Sequence, residues 1–274
     1  MIDYKVSFCI VLYKQPLEEL KRVISSILLY EYEKRIYLID NSDTDRLRVL
    51  QSLDTSITYL WLGQNLGFGK ANNIAIRQAH EWGSKYHVIV NPDIFYHTDV
   101  IAPMTHYMNI HSDVGAMMPQ ILNPDGTLQY LPKLTPSPWK LFWRKCPWPQ
   151  TLHRRVTDRF EMRGMKQDRT YDILHVTGCF AIYRMTTLWQ VGGFDDRYFM
   201  YFEDTDLSRK IHECQRTIYY PLAHVYHDYG NGASKEKRLF FLFIISAFKF
   251  FWKWGFLDLQ GHKLNRQVLA QLKA

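Results

Sequence analysis

The residues best suited to chemistry in this sequence are acidic side chains at two places, each beside an apolar run. Glu203, Asp204 and Asp206 stand within four positions, directly after several aromatic residues and before a helical pattern. Asp93 ends the motif Asn91-Pro92-Asp93, which follows an apolar run typical of a buried strand. A carboxylate beside apolar groups is costly to bury alone, so it often serves as a base or as the ligand of a cation. The pattern predicts a site that combines a metal-binding carboxylate with a proton acceptor.

Each of these residues also has a purely structural interpretation. Asp93 suits Mg²⁺, which often takes only one or two protein carboxylates, or it is an ordinary turn residue. The pair Glu203-Asp204 suits a general base among aromatic rings, although acids at a helix start are also favoured by the helix dipole. His224 and His227 would lie on opposite faces of a strand and should not bind one metal together. His227 is closer to the glycine-bearing segment that follows and is the better candidate.

Further polar residues lie at predicted strand ends and turns. Asp40 ends an apolar run and can cap the next turn or accept hydrogen bonds from a base or a ribose. The glycine turn 65–70 is not a dinucleotide fingerprint, because Asn72 stands where the third glycine belongs, and no Walker sequence follows. Asn65 and Asn73 flank this turn and can serve as ligand contacts or as caps.

The elements that must position these residues alternate between strand and helix patterns over the first hundred positions. The order predicts the α/β class, with a mostly parallel central sheet, right-handed crossovers and flanking helices. Ligands bind such sheets at the carboxyl ends of the strands, where Asp40 and Asp93 stand. The predicted strands are 6–13, 35–40, 56–62, 87–90, 114–122, 127–131, 173–183 and 217–220, the last ended by Pro221, and the predicted helices are 16–28, 45–53, 71–82, 186–191 and 204–212.

Charge is unevenly distributed along the chain. The net charge is +7, but residues 131–170 hold ten Lys and Arg against three acids, and residues 233–274 hold eight against two, which leaves −6 for the rest. A mildly acidic body with two basic segments does not suit a nucleic-acid binder, because local basic patches select a partner. The prolines and tryptophans of 132–149 show no periodicity, so 131–170 is predicted to be a basic mobile loop.

The segment 233–274 mixes aromatic residues with lysines and arginines. Ten uncharged residues separate Arg238 from Lys249, whereas a membrane-spanning helix needs about 20. The composition predicts an amphipathic helical tail in the headgroup region of an anionic membrane, with a core helix packed on the domain as the alternative. No signal-peptide pattern is visible at the N-terminus and the four cysteines match no zinc pattern, so a cytoplasmic location is expected.

Taken in order, these motifs resemble an inverting glycosyltransferase of family 2 with the Rossmann-like GT-A fold. Within that family the chain is similar to bacterial rhamnosyltransferase-type enzymes of O-antigen and capsule assembly. The resemblance covers nearly the whole chain, with residues 1–232 as the glycosyltransferase domain and 233–274 as a membrane-associating tail. It rests on the segments 6–13, 39–42, 65–73, 91–93, 177–180, 191–195, 203–207 and 253–258, with His227, Gly232 and Ser234.

The resemblance implies a role for each candidate residue. Tyr13 and Asp40 would contact the nucleobase and its ribose. Asp204 would deprotonate the acceptor hydroxyl, with Glu203 beside it to orient or bind the acceptor. Asp93 would be the surviving acid of the family's Asp-x-Asp metal motif, whose first position here is an asparagine. The remaining implied roles are donor-site contacts from Asn65, Gly67, Asn73 and Asn91, and binding of Mg²⁺ or Mn²⁺, or of the diphosphate, by His227.

The implied reaction moves a sugar from a nucleotide-sugar donor to a hydroxyl of a polyprenyl-diphosphate-linked glycan, at the inner face of the bacterial plasma membrane. L-Rhamnose from a dTDP donor is the first expectation, and galactose or another hexose from a UDP donor is the second. A nucleotidyltransferase is disfavoured, because residues 11–15 lack its glycine-rich signature. The intact Glu203-Asp204 pair argues against a non-catalytic sugar-binding protein. The acceptor, the linkage and the oligomeric state are not fixed by any residue.

Overall fold

The structure, a computed structural model, describes residues 3–145, 149–228 and 237–273. Within these ranges a nine-stranded sheet carries helices on its faces. The strands are β1 (Val6–Leu12), β2 (Lys34–Asp40), β3 (Ile57–Trp61), β4 (Tyr86–Val90), β5 (Ile94–Phe95), β6 (Val114–Leu122), β7 (Tyr171–Asp172), β8 (Phe180–Arg184) and β9 (Arg216–His227). The helices are α1 (Leu17–Leu28), α2 (Phe68–Glu81), α3 (Ile101–Ile110), α4 (Pro138–Lys145), α5 (Gln150–Phe160), α6 (Met185–Gln190), α7 (Glu203–Ile211), α8 (Lys237–Trp254) and α9 (Leu259–Ala270), with 3-10 turns at Arg46–Leu53 and Gln271–Lys273.

The strand order is β3-β2-β1-β4-β8-β6-β9-β5, and β7 pairs with β9. The first four strands are parallel to one another. β8 is antiparallel to β4 and β6, and β6 is parallel to β9. Helical crossovers cover both faces of such a sheet, so its central strands are continuous apolar runs. The prediction of an α/β fold with a mostly parallel sheet is confirmed.

Two predicted strands are wrong in detail. Residues 127–131 contain only an isolated bridge, between Leu122 and Leu128. Of the strand predicted over 173–183, only the part from Phe180 onwards is a strand, β8, and β7 ends at Asp172 before the predicted span begins; between the two the chain leaves the sheet and turns at Gly178. The apolar character of the intervening residues reflects burial in the core and not strand pairing.

β9 does not end at Pro221 as the sequence predicts, but continues to His227. Its register with β6 shifts at this place, from Pro119 opposite Tyr220 to Gln120 opposite His224. Proline lacks a backbone N–H and is tolerated in a strand at such an irregularity. The continuation matters for the site, because it carries His227 to the edge where β5 pairs.

The segment 131–170, expected to be a loop, contains α4 and α5. Its prolines do not break these helices: Pro138 is the first residue of α4, and Pro149 directly precedes α5. Proline is favoured at helix starts, where its missing N–H costs no hydrogen bond. The helices are held by tertiary contacts, including the Arg144 guanidinium 4.6 Å from the Phe160 ring. The prediction of a continuous loop was therefore wrong.

The C-terminal segment packs on the domain by one face of α8. Phe250 and Phe251 are buried with Tyr198 and Phe202, next to the start of α7. The opposite face of α8 exposes apolar side chains, among them Phe241 and Trp252. In the described part of the chain, no single helix is long and apolar enough to cross a membrane, and α8 with α9 passes only as a pair bent by 98°. Gly232 and Ser234, and the predicted boundary between 232 and 233, lie outside the described residues.

Candidate active site

Asp204 lies in the first turn of α7, at the edge of a cavity. Its Oδ2 accepts a hydrogen bond from the backbone N–H of Gly178 (3.2 Å), and its Oδ1 accepts one from the N–H of Thr205 (2.7 Å). Its side chain is 21% exposed. Backbone donors and a helix N-terminus both stabilise a carboxylate. The structure therefore holds this carboxylate in a fixed orientation and leaves it within reach of a ligand.

His175 is a buried neighbour of Asp204. Its Nε2 lies 3.6 Å from Asp204 Oδ2, and its Nδ1 lies 3.3 Å from the hydroxyl oxygen of Thr205. Burial lowers the pKa of His175 to about 4, although the charge of Asp204 opposes this shift. The imidazole is therefore neutral at neutral pH and does not itself neutralise the Asp204 carboxylate.

Glu203 differs from Asp204 in its surroundings. It is 8% exposed, and no described residue forms a hydrogen bond with its Oε2. Burial, followed by the charge of Asp204, raises the pKa of Glu203 to about 8. At neutral pH this carboxyl mostly keeps its proton and can donate a hydrogen bond. Adjacent carboxyls in unlike environments can thus take different roles.

The turn before α7 has an unusual backbone conformation. Tyr201 and Phe202 both have positive φ, 69° and 65°. For residues other than glycine this conformation costs roughly 1–2 kcal/mol each. Helix α8 holds the turn: the Phe202 ring lies 5.3 Å from that of Phe243, and the Ser246 hydroxyl donates to the carbonyl of Met200 (2.7 Å). The tail helix thus positions the two acids.

Asp93 and His227 meet because β5 pairs with β9. Ile94 lies opposite His227, and the Asp93 Oδ1 is 3.3 Å from the His227 Nε2. Gln129 fixes the imidazole: its amide nitrogen donates to the carbonyl of His227 (3.0 Å) and to Asn123 Oδ1 (2.6 Å), so its Oε1 faces Nδ1 at 3.0 Å. Nδ1 therefore donates to Gln129, and Nε2 faces the Asp93 carboxylate. An imidazole whose Nδ1 is held in this way can offer its Nε2 to a metal ion.

These two residues form an incomplete set of metal ligands. Among the residues that the structure describes, no group of three or more His, Cys, Asp or Glu could hold a metal ion. Mg²⁺ typically takes one or two protein carboxylates and completes its coordination with water and substrate phosphates. Asp93 and His227 fit a cation that is shared with a phosphate-bearing substrate.

The turn at Gly178 connects the two halves of the site. The N–H of Asn91, in the motif of Asp93, donates to the carbonyl of Cys179 (2.8 Å). A Cβ at Gly178 would lie 3.2 Å from the Phe68 ring and 3.7 Å from Asp204 Cβ. The carboxyl end of β4 and the start of α7 are thus held together by one tight turn, in which a glycine stands close to the Phe68 ring.

The glycine turn before α2 is packed against the segment that precedes α7. Gly67 has φ +85°, and a Cβ there would lie 2.4 Å from the carbonyl oxygen of Phe199. The N–H of Phe68 donates to the same carbonyl (3.1 Å). Asn65 Oδ1 accepts from the N–H of Gly67 (2.9 Å). Asn65 and Gly67 therefore shape this turn, and their contacts with a donor stay predictions.

Asn73 has a structural use in α2. Its Oδ1 accepts from the N–H of Phe194 (2.8 Å), and its Nδ2 donates to the carbonyl of Phe194 (2.8 Å) and to Asp196 Oδ1 (2.8 Å). The side-chain amide thus ties α2 to the segment before α7. A role for Asn73 in donor binding stays a prediction.

Asp40 and Tyr13 stand at adjacent strand ends, as the parallel pairing of β1 and β2 requires. Asp40 is fully buried and accepts hydrogen bonds from the N–H of Ser42 (2.8 Å) and the hydroxyl of Tyr59 (2.6 Å). The hydrogen bond to Asp40, added to burial, raises the pKa of Tyr59. Tyr13 is 47% exposed. The tyrosine is open to a ligand, whereas the carboxylate is bound within the protein, and both predicted base or ribose contacts stay predictions.

A cavity of about 210 Å³ opens beside Asp204. It lies between the first turn of α7, helices α4 and α8, and the segment before α4. The residues that line it include Lys133, Arg144, His175, Glu203, Asp204 and Phe243.

Sequence reasoning missed three of the polar residues around the site. His175 lies in an apolar run, and a lone histidine there was a usable signal. Gln129 and Lys133 belong to no motif that would have singled them out. Gln129 reaches His227 across 98 positions, a contact that only the fold creates.

Comparisons with known proteins show the family of the chain. The model of the family described as glycosyl transferase family 2 matches residues 7–192. The chain is similar to an N-acetylglucosaminyl-diphospho-decaprenol L-rhamnosyltransferase of Mycobacterium tuberculosis, found in the strains CDC 1551 / Oshkosh and ATCC 25618 / H37Rv. It is 27% identical to that protein over 290 residues, which cover 93% of this chain and 92% of the relative.

Solved structures show the same fold. GalNAc-T7 with UDP, GalNAc and Mn²⁺ has a TM-score of 0.63 at 15% identity and aligns with 89% of this chain and 47% of its own. The mannosyltransferase of Pyrobaculum calidifontis with GDP-Man and Mn²⁺ has a TM-score of 0.57 at 17% identity. That alignment covers 83% of this chain and 57% of the mannosyltransferase. The chain thus spans about half the length of these structures. With a family match over more than half of its length and the GT-A fold, the chain belongs to glycosyl transferase family 2 and is a glycosyltransferase.

Proposed function

We propose that this enzyme transfers L-rhamnose from a dTDP donor to a hydroxyl of a diphosphate-linked lipid glycan, with inversion. A UDP-hexose donor is the second candidate. The observation that carries the reaction type is the geometry of Asp204, a carboxylate fixed by Gly178 at the edge of a cavity. The choice of sugar and acceptor is supported by the activity of the mycobacterial relative.

Asp204 serves as the general base in this proposal. A sugar hydroxyl is a weak nucleophile, and a base within hydrogen-bond reach must take its proton as the new bond forms. Attack from the face opposite the leaving nucleotide gives inversion in one displacement. No second, nucleophilic carboxylate is then needed. Glu203, protonated at neutral pH, donates a hydrogen bond to the acceptor and helps to orient it.

Asp93 and His227 hold a divalent cation together with the donor diphosphate, and Gln129 keeps the His227 Nδ1 protonated for this purpose. When bound, Mg²⁺ or Mn²⁺ neutralises charge on the departing nucleoside diphosphate. The structural relatives solved with Mn²⁺ support such a requirement.

The enzyme works at the inner face of the plasma membrane in this proposal, with α8 and α4 against the lipid. Apolar side chains exposed at a spacing of three to four on α8 lie on one helix face. Lysines and arginines among such residues attract anionic headgroups. The exposed apolar residues are Phe240, Phe241, Ile244, Phe248 and Trp252 of α8, and Trp139 and Phe142 of α4.

Calorimetric titration of the protein with dTDP, UDP and GDP, each with and without Mn²⁺, tests the proposal. We expect dTDP to bind most tightly and to lose at least about tenfold in affinity without the metal, a difference of about 1.4 kcal/mol. The Asp93→Asn variant should bind dTDP equally with and without Mn²⁺.

Preference for UDP would support the second candidate and exclude the dTDP donor. Absence of binding by all three nucleotides, in a sample shown to be folded by circular dichroism, would exclude nucleotide-sugar transfer by this site. Asp228→Asn is the matched control, because Asp228 faces Arg22 and not His227.

A further inference from the structure

The cavity beside Asp204 carries more positive charge than its walls neutralise. Lys133 lines it, and the described residues offer Lys133 neither a hydrogen bond nor an ion pair. Arg144 lines it as well and pairs with Glu161 (2.9 Å), but Glu161 also pairs with Arg163 (2.7 Å). Arg163 also pairs with Asp158 (3.5 Å), so Glu161 remains a partner of Arg144 and the cation of the cavity without an ion pair among the described residues is Lys133.

At neutral pH, one of the two carboxyl groups that line the cavity is mostly protonated. Glu203 mostly keeps its proton and His175 is neutral, so Asp204 is the carboxylate of the lining that faces Lys133, whereas Arg144 has Glu161 as its partner. Burial, the largest effect, together with the charge of Arg144 lowers the pKa of Lys133, and Asp204 opposes this. Lys133 is half-buried, and a ligand that supplies the opposite charge stabilises a partly desolvated cation without a close partner. The cavity is therefore built for an anionic ligand.

Apolar residues of α4 and α8 near the cavity indicate a second property of that ligand, an apolar part. Helix α4 contributes Leu141 and Arg144 to the cavity and exposes Trp139 and Phe142 beside it. Helix α8 contributes Phe243, and its exposed apolar residues lie on its outer face. The lining of the cavity thus combines an acid pair with two cations, and exposed aromatic side chains stand on the two helices that contribute to it.

We propose that this cavity is the acceptor subsite, and that Lys133 and Arg144 bind the phosphate groups of a diphosphate-linked acceptor whose sugar faces Asp204. The assignment rests on the proposed function and adds to it the residues that select the acceptor class. A diphosphate joined to the acceptor sugar lies one sugar ring away from the hydroxyl that reacts. Its lipid chain then leaves between α4 and α8.

Steady-state transfer to two acceptors tests the assignment. The first acceptor is N-acetylglucosamine diphosphate linked to a short alkyl chain, and the second is the neutral alkyl N-acetylglucosaminide with the same chain. The wild type should prefer the diphosphate. In Lys133→Gln we expect kcat/KM for the diphosphate acceptor to fall about 10- to 100-fold, mainly through KM, because one charge-assisted contact is lost. The neutral acceptor should change by less than about twofold.

Lys166→Gln is the matched control, because Lys166 is exposed, belongs to the same basic segment and does not line the cavity. It should leave both acceptors unchanged. Lys133→Arg should keep the preference for the diphosphate, which separates charge from packing. Donor affinity by calorimetry should be the same in all variants.

Equal losses with both acceptors in Lys133→Gln would overturn the assignment, as would an equal effect of Lys166→Gln. A wild type that uses the neutral acceptor as well as the diphosphate would also overturn it, while leaving glycosyl transfer intact. Donor binding without transfer to either acceptor would overturn the proposed acceptor class and this assignment together.

Discussion

At the scale of single residues, Glu203 and Asp204 are adjacent in sequence but lie in different environments. Asp204 is reached by backbone N–H groups and by solvent, whereas Glu203 is buried against apolar groups and keeps its proton to about pH 8. Such a difference allows one carboxyl to accept a proton while the other donates a hydrogen bond. Substitutions that mimic each protonation state should therefore have unequal effects.

We expect Asp204→Asn to lower kcat about 10²- to 10⁴-fold, because general-base catalysis contributes about that factor. Donor affinity should stay within about twofold of the wild type. Glu203→Gln, which imitates the protonated acid, should retain far more activity at pH 7. Single-turnover assays and donor calorimetry on both variants provide the measurement. A loss in Glu203→Gln as large as that in Asp204→Asn would contradict the assignment of the base.

The raised pKa of Glu203 also predicts how stability depends on pH. Its pKa rises from 4.5 in the unfolded chain to about 8 in the folded protein. Between these values the folded state keeps a proton that the unfolded state releases, so the free energy of unfolding falls as pH rises. Urea unfolding at about pH 5.5, 7 and 8.5 should show a steeper decline for the wild type than for Glu203→Gln. The exposed control Glu213→Gln should decline like the wild type, and identical slopes in all three proteins would refute the prediction.

At the scale of elements, α8 stabilises the helix that carries Asp204, the proposed base. Asp206 is fully buried and forms an ion pair with Lys253 (2.7 Å), and it accepts a hydrogen bond from the Trp254 indole (2.7 Å). Asp206 is two residues after Asp204 on α7. Besides the predicted membrane contact, α8 therefore has a structural role, because its last turn neutralises the charge of Asp206 in α7.

Removing the cation from this pair should be costly. We expect Lys253→Met to lower the free energy of unfolding by about 3 kcal/mol, because a buried carboxylate then lacks its partner. Lys249→Met on the same helix breaks only a hydrogen bond to the carbonyl of Arg197 and should cost less than about 1 kcal/mol. Urea unfolding measures both.

Asp206→Asn should restore much of the stability of Lys253→Met, since asparagine is neutral and still accepts the indole hydrogen bond. If the double variant is no more stable than Lys253→Met, the loss arises from packing and not from the charge.

At the scale of the whole molecule, the two basic segments form one surface. The N–H of Thr135 donates to Asn265 Oδ1 (2.9 Å), which joins the segment before α4 to α9. Lys140, Arg159 and Arg266 line one groove between these parts. Segments that are more than a hundred residues apart in sequence thus present their charge together, beside the exposed aromatic faces of α4 and α8.

We expect this surface to bind anionic vesicles. The triple substitution of Phe241, Phe248 and Trp252 by serine should weaken co-sedimentation with vesicles that contain phosphatidylglycerol at least about tenfold, because burying each ring contributes of the order of 1 kcal/mol or more. High salt should weaken the wild type as well, since headgroup attraction is screened. The matched control replaces Val49, Ile110 and Leu222, which are 55%, 64% and 64% exposed, by serine. An equal loss in the control would show that general surface apolarity, and not this face, drives binding.

The sequence by itself determined the strand and helix order of the first hundred residues, because apolar periodicity and local turn residues act over short distances. It also singled out Glu203, Asp204, Asp93 and His227, since acids at strand and helix ends leave a local pattern. The separation of His224 from His227 on opposite faces followed from strand geometry alone and is confirmed, because His224 is exposed and His227 is buried.

Tertiary structure decided the rest. It brings His227 to Asp93, and Gln129 holds the His227 ring by hydrogen bonds. Helix α8 likewise packs against the turn before Asp204. All of these contacts join residues that are distant in the chain. Helices α4 and α5 were not predicted although α5 has a helical periodicity of its own, with Leu152, Val156 and Phe160 four residues apart; the prolines and tryptophans of 132–149 obscured it. The protonation of Glu203 likewise depends on burial, which no local pattern encodes.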